Sequence, residues 1–279
     1  MTLGGAINAT SIRIASLLAR EGWDQGAILL SQFNINVLSI LSLAAVWEIA
    51  GRLFDSVLIP PLTKIGAAWY KLLLGGKLLP NLAASLWTMI IGFVLAVLVG
   101  IVIGLLMGRF RAVEHFLDLY VNSLMSAPTT AFVPVLILWF GLGVQSRIAV
   151  VFLFAVFVVI INTMTGVKQV DNVLLEMARS FGAKEKETFL KIILPAAMPA
   201  IMAGVRLAMG RAVKGIVTAE MLLTLTGIGA MIMQYGSAFA TDALFAVILT
   251  ILVVAMIAMK LVQMLDRRLT GWKVEVAVE

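Results

Sequence analysis

Residues 85–108 read SLWTMIIGFVLAVLVGIVIGLLMG, 24 residues without one charged side chain. A helix needs about 20 mostly apolar residues to cross the hydrocarbon core of a bilayer, so this stretch can span by itself. It is also unbroken, whereas the strands of a transmembrane barrel alternate polar and apolar residues. The rest of the chain agrees. Its 279 residues are 62% hydrophobic and 13% charged, with a mean hydropathy of +1.07, against about 45–50% and about 25% in soluble domains. The composition predicts an all-α polytopic membrane protein of about six transmembrane helices and leaves no room for a large soluble domain. Apolar runs place the spans at 33–51, 84–108, 119–142, 148–167, 197–220 and 243–264. A segment 1–32 precedes the transmembrane domain, 33–266, and a tail, 267–279, follows it.

Whole classes of chemistry lack their residues. There is no cysteine, hence no disulfide, thiolate nucleophile or Cys-held zinc. The single histidine, His115, stands beside Glu114 and Asp118 and reads as a solvated side chain, so no metal site is expected. No GxxxxGK[ST] loop occurs, which leaves the chain without a phosphate loop for hydrolysing nucleotide. The net charge of +6 is read as positive residues held inside the membrane, not as a nucleic-acid surface. With both termini in the cytoplasm, 12 Lys and Arg fall on inner segments and 5 on outer ones. The first 30 residues carry Arg13, Arg20, Glu21 and Asp24 among short apolar stretches. They read as an interfacial amphipathic segment, not as a cleavable signal.

Inside the spans, small residues recur every fourth position at Gly92, Ala96, Gly100, Gly104 and Gly108, a ridge that lets a second helix approach closely. Pro128 and Pro134 interrupt the third span and predict a kink. Glu48, near the end of the first, reads as a structural pairing residue. The fifth span is the most charged, with Arg206, Arg211, Lys214 and Glu220 on one half of a helical projection. Ionisable residues in a span are functional candidates by default. Lys214, Arg211 and Glu220 are therefore the candidate substrate pathway, and the three positive charges suit an anion. For Arg206 and Glu220 the structural alternative carries more weight: Arg206 can reach the inner interface, and Glu220 can pair with a backbone group or a basic side chain.

Between the fourth and fifth spans, the loop 168–195 is the most charged stretch of the chain, with five basic and four acidic residues from Lys168 to Lys191. Leu174, Leu175, Ala178 and Phe181 have helical spacing, and Gly182 follows where a left-handed terminating residue belongs. A second short helix from about Ala183 to Ile193 is expected to stop at Pro195.

Glu176, Ala178 and Gly182, then nine residues, then Ile192, Leu194 and Pro195 reproduce the pattern E-A-A-x3-G-x9-I-x-L-P. At these positions the chain resembles the permease subunits of binding-protein-dependent ABC importers, with Met177 at the middle alanine as the one departure. The resemblance runs from about Trp47 to Trp272. Ser126-Ala127-Pro128, the run Val133 to Gly143, Gly204 to Ala208 and Ala219-Glu220-Met221 look like the nitrate/sulfonate/taurine branch.

The resemblance implies the type I importer permease fold in a bacterial inner membrane. It further implies two cytoplasmic ATPase subunits holding ATP and Mg, an extracytoplasmic substrate-binding protein, and a second permease copy in a homodimeric pore. It places the region Glu176 to Leu190 in a groove of the ATPase. The chain itself is then no enzyme and carries no cofactor. The substrate stays open among nitrate, sulfonates, taurine and aromatic acids, with an uncharged pyrimidine or flavin precursor as the alternative. An ion-coupled secondary transporter would need buried carboxylates, for which only Glu48 and Glu220 offer themselves, and it would leave the charged loop unexplained. A membrane enzyme finds no metal cluster, thiol or paired carboxylates within a span.

Overall fold

The computed structural model describes residues 37–54, 57–223 and 226–271, and every element among them is helical. The segment 1–32 and residues 272–279 of the tail lie outside the described residues. The chain falls into two units, Met1–Gly66 and Ala67–Glu279.

In the first unit, helix α1 (37–53) is followed by the Pro60-Pro61 turn, from which α2 (Leu62–Leu74) starts. The Glu48 carboxylate of α1 accepts hydrogen bonds from the Thr63 backbone N–H at 3.2 Å and from its hydroxyl at 3.0 Å, and it pairs with Arg52 at 2.6 Å. An otherwise orphaned N–H in the first turn of α2 is satisfied in this way. Trp47 donates its indole N–H to the Pro60 carbonyl at 3.1 Å. Glu48 is thus a hinge-pinning group between two helices.

The second unit contains α3 (Leu78–Arg109), α4 (Arg111–Ser126), α5 (Val133–Phe140) and α6 (Val144–Lys168). They are followed by α7 (Asn172–Ser180), α8 (Glu185–Thr188), α9 (Leu194–Leu223), α10 (Ile228–Ser237) and α11 (Thr241–Leu269). Four described helices are long and apolar enough to cross a membrane: α3, α6, the continuous run Glu185–Leu223 and α11.

The core is built where α6 lies between α3 and α9. Gly92, Gly100, Gly104 and Gly108 of α3 back directly onto Val151, Val159, Thr163 and Val167 of α6. A Cβ at Gly104 would stand 2.6 Å from the Thr163 Cβ, and one at Gly100 would stand 2.7 Å from the Val159 Cβ. From the other side, Gly204 and Gly215 of α9 lie against Asn162 and Phe154 of α6. Lipid tails are as apolar as leucine, so close backbone approach and dispersion supply the attraction that water supplies elsewhere.

Two expectations are corrected. The span placed at 119–142 is not one helix: α4 and the segment Thr129–Phe140 meet at 98°. Ala127, forced away from helical angles by the proline that follows it, is extended at φ −69° and ψ 146°, and Pro134 sits in the first turn of the next helix. Nor does the chain stop at Pro195. Glu185–Leu223 runs as one 39-residue helix through both Pro195 and Pro199. A π-turn at Phe189–Ile193, in which the Leu194 N–H reaches back to the Phe189 carbonyl, widens the turn ahead of Pro195. That relieves the clash between a proline ring and the preceding turn that would otherwise break the helix.

Candidate functional site

The segment between α6 and α9 is a small projection closed at both ends by hydrogen bonds. Asp171 caps α7, accepting from the Val173 N–H at 2.9 Å. At the far end, Gly182 donates to the Arg179 carbonyl at 2.9 Å and Ala183 to the Ala178 carbonyl at 3.0 Å. This paired closure needs a left-handed residue, and Gly182 supplies it at φ +73°. Glu187 then accepts from the Lys184 N–H at 3.1 Å and faces Lys191 at 3.6 Å. That hydrogen bond, and then the Lys191 charge, hold its carboxyl below the usual carboxylate range. Arg109, at the end of α3, reaches Glu185 at 3.3 Å, and Lys168 at the end of α6 pairs with Glu114 of α4.

The motif residues divide by position. Ala178 is buried, Ile192, Leu194 and Pro195 are half-buried along the run into α9, and Glu176 and Gly182 are on the surface. Between them stands an apolar patch made by Val173, Phe181 and the one departure from the motif, Met177: all three are exposed, Phe181 at 84%. Phe181, a large apolar side chain at the residue that closes α7, is its signal in the sequence.

The C-terminal end of α9 holds a second constellation. Glu220 is fully buried and pairs with Arg147 of α6 at 3.3 Å, the Arg147 side chain being 7% exposed. Ser85 of α3 donates to the same carboxylate at 2.7 Å, and Gly229 donates its N–H at 3.0 Å. Ile228 donates to the Ser85 hydroxyl at 2.9 Å, and Gly227 to the Asn81 side-chain oxygen at 2.8 Å. Successive N–H groups at the start of α10 are thereby satisfied by α3 and α9. Gly227, at φ +100°, leaves no room for a side chain: a Cβ there would stand 2.3 Å from the Glu220 carboxyl group. Arg147, which falls between the spans read from the sequence at 119–142 and 148–167, is a buried member of this knot. The only hint of it is that a single arginine opens an apolar helix.

The remaining charges of α9 differ. Arg206 pairs with Asp266 of α11. Lys214 is exposed and Arg211 half-buried, and among the described residues neither makes a hydrogen bond or ion pair. Because Gly204 lies against Asn162 and Gly215 against Phe154, both stand level with the middle of α6. A charge at that depth costs about 2.5–3.5 kcal/mol on insertion scales and faces protein or water, not lipid. Of the three pathway candidates, Arg211 and Lys214 therefore share an open face, and Glu220 does not.

Comparison with known proteins identifies the family. Residues 96–271 match the family described as the binding-protein-dependent transport system inner membrane component. The aliphatic sulfonates transport permease protein SsuC of Bacillus subtilis is 34% identical over 95% of this chain and 94% of its own length. The taurine transport system permease protein TauC of Escherichia coli is 32% identical over 87% and 90%. Among solved structures, a chain of the inward-facing MetNI methionine ABC transporter aligns at TM-score 0.55 and 18% identity, covering 71% of this chain and 96% of that one. A chain of an amino acid ABC transporter aligns at TM-score 0.58 and 15% identity, covering 68% and 93%. At these identities the structures bear on the fold alone, which is that of type I ABC importer permeases.

Proposed function

The chain belongs to the family of inner membrane components of binding-protein-dependent transport systems, and on that premise we propose that it forms the pore of an ATP-driven importer for a small anionic, organosulfonate-type solute. It is a multi-pass permease subunit. In this reading two copies form the pathway, two ATPase subunits bind ATP and Mg on the cytoplasmic side, and an extracytoplasmic protein delivers the solute. Both termini and the projection 168–195 then lie in the cytoplasm, in keeping with the excess of Lys and Arg on those segments.

The observation that carries this reading is the projection itself. A pore without a nucleotide site needs an element that receives force from one. The Gly182 closure, the Arg109–Glu185 tie and the unbroken helix from Glu185 to Leu223 link an exposed apolar tip mechanically to the most charged span. Displacement of Phe181 and Met177 by a closing ATPase pair would be transmitted along α9 and would alternate the access of the pathway.

The test is Gly182→Asp in proteoliposomes containing the assembled complex. A side chain at φ +73° strains the closure, and the charge meets the partner surface. The variant is expected to lose at least tenfold of its solute-stimulated ATP hydrolysis and uptake. Undiminished stimulation would remove the projection from the coupling route. ATP-independent uptake driven by an ion gradient would replace the importer by a secondary transporter.

A further inference from the structure

We infer that Arg211, Lys214 and Thr218 form an anion-binding face at mid-membrane, a water-lined site that takes the sulfonate or equivalent oxyanion group of the passing solute. The inference rests on the importer reading and adds to it a place where the pore itself recognises charge.

Positions 211, 214 and 218 are related by i, i+3 and i+7, so they stand on one face of α9, one turn apart. That face is the open side of a helix otherwise packed on α3, α6, α10 and α11. Ala208, Ala212, Gly215, Ile216 and Ala219 on its far side are buried, while Leu207 and Lys214 are exposed and Gly210, Arg211 and Thr218 half-exposed. The two cations have no carboxylate opposite them among the described residues, although Arg206 and Glu220 of the same helix each pair with an opposite charge. The Thr218 hydroxyl is likewise left open among the described residues: Thr88 and Thr250 return theirs to the carbonyl four residues earlier, and Thr218 does not. Two cations and one open hydroxyl match the donor needs of an oxyanion. A Cβ added at Gly210, beside them, would meet nothing nearer than the Met259 sulfur at 3.9 Å, so the face has room. Lys260 of α11, next to Met259, is exposed at a similar level and adds to the positive potential.

The chain has no cysteine, which permits a direct test. Thr218→Cys is assembled with its ATPase partner in membranes and treated with two methanethiosulfonates of similar size, one carrying a sulfonate and one a trimethylammonium group. Relative to a free thiol in solution, the sulfonate reagent is expected to react at least tenfold faster than the cationic one, and adding Lys214→Gln is expected to lower that ratio at least threefold. A thiol that reacts with neither reagent, or a ratio that Lys214→Gln leaves unchanged, overturns the proposal. If Thr218→Cys does not assemble, Gly210→Cys carries the same test on the same face. The ratio is independent of transport, so loss of ATP-dependent uptake in the unmodified complex would overturn the importer reading and leave this result to stand or fall by itself.

Discussion

The end of α9 and its middle carry charges of the same cost and use them oppositely. Glu220 is enclosed by Arg147, Ser85 and the Gly229 N–H, with every one of those partners on a different element or turn. Lys214 and Arg211, within a few turns of it, have no such partners among the described residues. A buried charge that is paired and hydrogen-bonded holds elements together, and breaking the pair is expensive. A charge left open at mid-membrane brings no such gain and is a functional candidate instead. Ionisable residues in a span therefore sort by their partners, not by their depth.

That contrast can be broken most severely at Glu220. Glu220→Ala leaves Arg147 buried without its counter-charge and uncaps the start of α10. It is expected to destabilise by about 3–5 kcal/mol, read as a much lower unfolding midpoint in detergent or as failure to accumulate in membranes. Next comes the neutral packing against which both regions are built. Gly104→Leu would drive a side chain into Thr163, where even a Cβ stands 2.6 Å away, and overpacking of this kind costs about 1–3 kcal/mol. Thermal unfolding of the purified complex checks it, and an unchanged midpoint would show that α3 and α6 can separate freely.

Arg206→Gln sharpens the comparison from the other side. The Arg206 side chain is 41% exposed, and a partly solvated pair contributes about 1 kcal/mol or less, so the same measurement should show a small drop. Lys214→Gln is expected to change stability by no more than about 0.5 kcal/mol. A loss comparable to that of Glu220→Ala would mean that Lys214 is also a structural group, and the division would fail.

Much of this is legible in the sequence. The uncharged run 85–108, the fourfold ridge from Gly92 to Gly108 and the glycine bend at 182 are local patterns, and local geometry expresses them directly. Family likeness at Glu176 to Pro195 is carried by six positions. The illegible parts are those settled at a distance. Glu220 and Arg147 are 73 residues apart, and nothing in either neighbourhood names the other. A local rule ends a helix ahead of Pro195. The π-turn at Phe189–Ile193 lets the helix continue, and no single residue announces such a turn. Pro128 gives the position of a break but not its size, since a slight kink and a 98° bend begin with the same residue.

The most direct test is uptake of the radiolabelled sulfonate that the unmodified complex carries best, taurine among those tried, in proteoliposomes with its ATPase and binding protein. The Arg211→Gln/Lys214→Gln double variant should show uptake reduced at least tenfold, with an unfolding midpoint and basal ATP hydrolysis equal to those of the unmodified complex. Uptake at the unmodified level by an equally stable double variant would contradict the account.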